Sequence, residues 1–236
     1  MPMFSAAASP SSTPALTWLG AAFRLWMRAP LRLSAVAFAP VLLEALVQLV
    51  PFAGVVASKL VVTLASGWAL LVAHAIARSG AAAPLTQARA LVSGGRGVLA
   101  VAVLGLAVFA FQLVVCSLVA GPSQAAMLAT GQHQAISMSA ETLGWIFASG
   151  LLPGALLMFV LPYVVLEGRP PLQAIRSSVA TAFAYWPAVA LFTVLQFAMV
   201  AYVPRFPVLL LVLLPFGLCS LYAIYRTVHA SPDRVH

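Results

Sequence analysis

Charge is what this chain has least of. Of its 236 residues only four are acidic, Glu44, Glu141, Glu167 and Asp233, and a single lysine, Lys59, accompanies the arginines among twelve basic residues. A soluble domain carries roughly 25% charged residues. Here the share is 7%, beside 63% hydrophobic residues and a mean hydropathy of +1.06. So few polar groups cannot coat a surface that faces water, which excludes a soluble globular domain and leaves an integral membrane protein.

Other absences narrow the chemistry. Cys116 and Cys219 both lie within apolar runs and form no C-x-x-C, so they read as small buried thiols. His74, His133, His229 and His236 have no metal-ligand spacing, and no metal is assigned. There is no G-x-S-x-G, H-E-x-x-H or Walker loop; Ser93–Gly97, "SGGRG", lacks the Lys-Ser/Thr of a P-loop. Four scattered acids would need distant partners for paired-carboxylate work. No catalytic residue and no cofactor are expected, and the chain reads as a non-enzyme.

The formal net charge is +8. Nucleic-acid binding requires basic residues clustered on a solvated face; these punctuate the ends of apolar runs instead, so no nucleic-acid partner is expected. Arginine far outnumbers lysine and alanine is abundant, which points to a GC-rich bacterial genome. The first residues contain no Lys or Arg before the apolar sequence begins and so lack a signal peptide's charged region. Residues 1–13 read as a disordered tail, 14–226 as one membrane domain and 227–236 as a short tail.

A spanning helix needs about 20 mostly apolar residues. Six stretches qualify: Leu31–Val50, Gly54–Ala77, Val98–Ala120, Trp145–Leu166, Trp186–Val203 and Val208–Arg226. "VPFAG" (Val50–Gly54) and "VPRFP" (Val203–Pro207) leave room only for tight helical hairpins. Arg24, Arg28, Arg32, Arg78, Arg89, Arg96, Arg169, Arg176, Arg226 and Arg234 fall on one side of this threading and Arg205 on the other. The positive-inside rule then places both termini in the cytoplasm and the Met127–Gly144 loop on the far side. Pro153, Pro162 and Pro215 predict kinks, and Gly150–Gly154, "GLLPG", has the G-x-x-x-G spacing of close helix approach.

Three further segments are too polar to cross. In Thr13–Pro30, Leu16, Leu19, Phe23, Trp26 and Met27 line one helical face, and Thr17, Gly20, Arg24 and Arg28 the other. Such a helix lies among headgroups, its arginines toward anionic lipid and Trp18 and Trp26 at the interface. Ala83–Gly95 and Arg169–Pro187 read likewise. The fold class is therefore all-α and polytopic, with six spans, about three interfacial helices, and the unit interfacial helix, span, span repeated from Pro14, Pro84 and Pro171.

"WLGAAFRLWMRAPL" (Trp18–Leu31), the "VPFAG" hairpin, "AIRSSVATAFAYWP" (Ala174–Pro187) and "LYAIYR" (Leu221–Arg226) occur in that order. Together they resemble a family of uncharacterised six-helix inner-membrane proteins of proteobacteria, over about Thr17 to Arg226. The chain departs from that family at Tyr185, where Asn is usual, and at Thr227–His229, where an acid is common. The resemblance implies a fold and an inner-membrane location, and no activity.

One constellation stands out. Glu44 lies seven residues before Pro51 and Lys59 eight after it, so a hairpin about Pro51 brings both to one depth, roughly 11 Å below its tip. A lone charge in a span costs roughly 2.5–3.5 kcal/mol, and pairing offsets much of that. On one reading the pair lines a polar path with Gln48 one turn away, Thr63 and Ser66 on the Lys59 face, and His74 near it. Gln112, Thr193 and Gln196 would join from other spans. On the other it locks the hairpin while scattered polar groups bridge helices. A membrane scaffold or accessory protein follows from the second, a small transporter or channel from the first.

Overall fold

The computed structural model describes residues 13–132, 137–202 and 206–230. His133, Arg205, Asp233, Arg234, His236, the first twelve residues and most of the second expected hairpin turn lie outside that set. Among the described residues the chain is helical, with no strand: α1 (Thr13–Arg28), α2 (Pro30–Gln48), α3 (Gly54–Ser79), α4 (Pro84–Ser93), α5 (Gly95–Ala120), α6 (Pro122–Thr130), α7 (Ala140–Ser149), α8 (Leu151–Leu157), α9 (Val160–Glu167), α10 (Pro171–Ala184), α11 (Trp186–Tyr202) and α12 (Leu210–Ala230). Among the described residues five stretches are long and apolar enough to cross a membrane: α2, α3, α5, Ala140–Leu157 and α12. α11 is mostly apolar but holds 17 residues, shorter than any of the five.

Proline sets many of the starts. α2, α4, α6 and α10 each have one in their first two positions, where its missing N–H is no loss and its fixed φ suits a helix. The α2–α3 turn is closed by the Gly54 N–H on the Val50 carbonyl at 3.0 Å. Phe52 sits there at φ 62, a left-handed conformation that costs a non-glycine residue about 1–2 kcal/mol. Gly54 is required by space: a Cβ would lie 2.5 Å from the Val47 carbonyl oxygen.

The fourth expected span is broken twice. Helix stops at Gly150 and again at Met158–Phe159, in each case three to four residues before a proline, Pro153 and Pro162. A proline ring clashes with the carbonyl four residues back, which is why the breaks fall there. Pro40 and Pro215, by contrast, sit inside unbroken helices. Of the G-x-x-x-G pair, Gly150 has Gln112 packed where its Cβ would be, at 2.4 Å, whereas nothing lies within 4 Å of Gly154. The motif therefore admits one side chain rather than a facing helix.

Three expectations change. In α1 the buried residues are Trp18, Ala22 and Leu25, while Phe23 and Met27 are exposed. The helix packs mainly along α12, in one apolar cluster with Cys219, Tyr222 and Ala223, so Trp18 is a core residue and not an interfacial one. α10 likewise buries Ala174, Ser178 and Ala182 against α8 and α9; α4 buries no residue. Helix covers both ends of the expected Met127–Gly144 loop: α6 continues to Thr130, and α7 begins at Ala140 with the Ser139 hydroxyl accepting the Thr142 N–H. Finally α12 runs on past Arg226 to Ala230.

Gly54→Ala should cost about 1–3 kcal/mol through overpacking, read as a lower melting temperature in detergent. Gly154→Ala should be neutral or stabilising by up to ~1 kcal/mol. Equal effects would show that the hairpin is not held by this close approach.

Candidate functional site

Two polar clusters form at opposite ends of α3. At the hairpin end, Lys59 Nζ donates to Glu44 Oε1, the two side chains being 20% and 23% exposed. Gln48 Nε2 donates to the same Glu44 oxygen at 3.2 Å and approaches Ser58 Oγ at 3.4 Å. Ser58 in turn donates to the Val55 carbonyl at 2.7 Å. The lysine ammonium lies 5.4 Å from the centre of the Phe109 ring, within cation–π range. The tight turn fixes the register of α2 on α3, and that register makes Glu44 and Lys59 neighbours.

His74 is not part of this group. It follows Lys59 by fifteen positions on α3, about 22 Å along the axis at ~1.5 Å per residue. There its Nδ1 and the Tyr222 hydroxyl of α12 share a hydrogen bond of 3.1 Å, the two rings meeting edge to face at 5.7 Å. Arg226 Nη1 reaches the same hydroxyl at 3.5 Å.

Around it lies a network that the sequence reading did not single out. Tyr225 donates to Glu167 Oε1 at 3.1 Å, and the other Glu167 oxygen accepts from Arg169 Nε. Arg169 also donates to Ser177 Oγ at 3.0 Å and stacks 4.5 Å from the Tyr163 ring centre, whose hydroxyl meets Thr181 at 2.9 Å. Residues of α9, α10 and α12 are thus tied to one carboxylate. The available signal was position: Glu167 stands two residues from Arg169, and it is the one acid among the described residues at the arginine-rich end.

Three more of the candidates for a polar path, Thr63, Thr193 and Gln112, bond backbone groups. The Thr63 hydroxyl donates to the Lys59 carbonyl and the Thr193 hydroxyl to the Val189 carbonyl, each at 2.8 Å within its own helix. Gln112 Nε2 donates to the Phe147 carbonyl at 2.8 Å, at the first break of the fourth span. At the second break Ser178 does both jobs: its hydroxyl donates to the Leu156 carbonyl at 2.7 Å and accepts the Phe159 N–H at 3.2 Å. Ser178 is completely buried. Side chains from α5 and α10 therefore bond backbone groups at the two breaks in the helix.

Among the described residues no three His, Cys, Asp or Glu side chains gather as a metal ion would require, and ion pairs number two, Glu44–Lys59 and Glu167–Arg169. No family model matches this chain, and neither a curated protein nor a solved structure matches it.

Ser178→Ala should strand a part-buried carbonyl and a buried N–H and cost about 1–3 kcal/mol, measured by thermal unfolding in detergent. Ser93→Ala removes only a bond to the Ala90 carbonyl one turn back and should stay within about 0.5 kcal/mol. A Ser178→Ala protein that melts with the wild type would contradict the stitching role.

Proposed function

We propose that this chain is a non-catalytic scaffold or accessory protein of the bacterial inner membrane, acting through contacts with lipid and with other proteins. It threads the bilayer six times, α11 completing the count, with both termini in the cytoplasm. The orientation is supported by where the arginines fall. Arg24, Arg28 and Arg32 precede or open the first span, Arg78 ends the second, Arg89 and Arg96 precede the third, Arg169 and Arg176 follow the fourth, and Arg226 lies near the end of the last. The same helices follow the order amphipathic, span, span from Pro14, Pro84 and Pro171, in line with an internal repeat and with the proteobacterial family that the Trp18–Leu31 and Leu221–Arg226 motifs resemble.

One observation carries the scaffold reading: Glu44, Gln112, Ser178, Thr63 and Thr193 are all spent on neighbouring side chains or on backbone, while the buried Trp18 Nε1 and Ser220 Oγ have no partner among the described residues. Glu44 holds Lys59 and Gln48; Gln112 and Ser178 mend a broken span; Thr63 and Thr193 bond within their own helices. A transport path needs polar groups free to exchange partners with a solute.

Glu44→Gln should therefore lower stability, by about 2–3 kcal/mol if Lys59 is left unpaired within the bilayer. The doubly exchanged Glu44→Lys, Lys59→Glu protein should regain much of the loss. Loss of a proton or solute flux in proteoliposomes with an unchanged melting temperature would instead establish transport. For the orientation, reporter fusions after Gly80 and His229 should read cytoplasmic and one within residues 131–139 periplasmic; the reverse pattern would overturn it.

A further inference from the structure

α3 and α12 meet at His74 and Tyr222. One turn further along each, towards its C-terminus, stands an arginine, Arg78 on α3 and Arg226 on α12, since residues four apart share a helix face. α1 delivers a third: Arg28 Nη1 donates to the Ala77 carbonyl at 3.1 Å, in the last turn of α3. Three exposed guanidinium groups from three helices thus crowd the end of α3. None of them forms an ion pair among the described residues, because Glu167, the carboxylate at this end, is taken by Arg169 and Tyr225.

Like charges gathered this way call for an anion. A guanidinium presents N–H donors in a fork that fits phosphate oxygens, and basic pockets between the ends of spanning helices suit phospholipid headgroups. The surface beside the arginines favours an amphiphile over a free ion. Phe23 and Met27 stand one turn apart on one face of α1, and they are 51% and 57% exposed. Arg24 and Arg28 run alongside them. An apolar strip next to a basic cluster is the complement of a lipid chain next to its phosphate.

We propose that Arg28, Arg78 and Arg226 form a binding site for the phosphodiester of one anionic phospholipid, whose acyl chain lies along Phe23 and Met27. The proposal rests on reading α3 and α12 as membrane spans, and it adds a defined lipid to the scaffold's partners.

The test titrates phosphatidylglycerol into the full-length protein in neutral detergent and follows its melting temperature. Phosphatidylglycerol should stabilise the wild type and phosphatidylcholine should not. Replacing all three arginines (Arg28→Gln, Arg78→Gln, Arg226→Gln) should raise the half-saturating lipid concentration by at least tenfold. Arg78→Gln alone removes no bond seen within the protein and should cost about five-fold, as one surface arginine near anionic lipid does; it decides the matter if the triple variant does not fold. Arg89→Gln with Arg176→Gln, two exposed arginines elsewhere at the same end, should change it less than two-fold. An equal loss in that control would mean diffuse attraction and would overturn the site. Displacement of the lipid by millimolar inorganic phosphate would overturn the lipid as occupant. Retention of the protein in the same lipid's vesicles after alkaline extraction reads the membrane assignment separately, so the site can fail while that assignment stands.

Discussion

Hydrocarbon offers a polar group no water to bond, and that constraint governs where this chain's scarce polar side chains go. Its most demanding consequence is the fourth span. The helix breaks three to four residues before Pro153 and Pro162, and Gln112 of α5 and Ser178 of α10 reach across to bond backbone groups at those breaks. Because each repair comes from a different helix, the break in one element becomes a bond between three. The small residues around Ser178, Ala174 and Ala182, let α10 come close enough to make it.

The two ion pairs divide the work between the ends of the bundle. Glu44 and Lys59 clamp a single hairpin whose geometry Gly54 already restricts. Glu167 and Arg169 sit in a wider web of tyrosines and hydroxyls that links α9, α10 and α12, and the neighbouring His74–Tyr222 contact adds α3. Chain-distant elements are therefore joined mainly at the arginine-rich end, where α1 also packs against α12 and places Trp18 in the core. What remains unneutralised there is positive, and it faces outward.

Some of this was legible in the sequence for definite physical reasons. Length and apolarity mark α2, α3 and α5, since nothing else needs twenty such residues in a row. The spacing of Glu44 and Lys59 about Pro51 fixes their relative depth, because a short turn leaves a hairpin one register. The kinks near Pro153 and Pro162 follow from ring sterics. Other features had no local signature. The face that α1 buries depends on α12, about two hundred residues away, and periodicity alone selected Phe23 and Met27 over Trp18 and Ala22. The His74–Tyr222 contact spans 148 positions. α6 has no strong local signature either: a Gly-Pro pair such as Gly121–Pro122 can open a loop, and here it ends one helix and opens the next.

The most direct test of the central claim, that the polar side chains of the spans serve the packed bundle and do not line a water path, is chemical access. Single cysteines would be placed at Thr63, Ser66, Gln112 and Thr193 in a protein carrying Cys116→Ala and Cys219→Ala, reconstituted in vesicles and exposed to a charged maleimide. All four positions should stay unlabelled until the protein is unfolded. Labelling of two or more of them in the folded protein would reveal a continuous aqueous route and contradict the account.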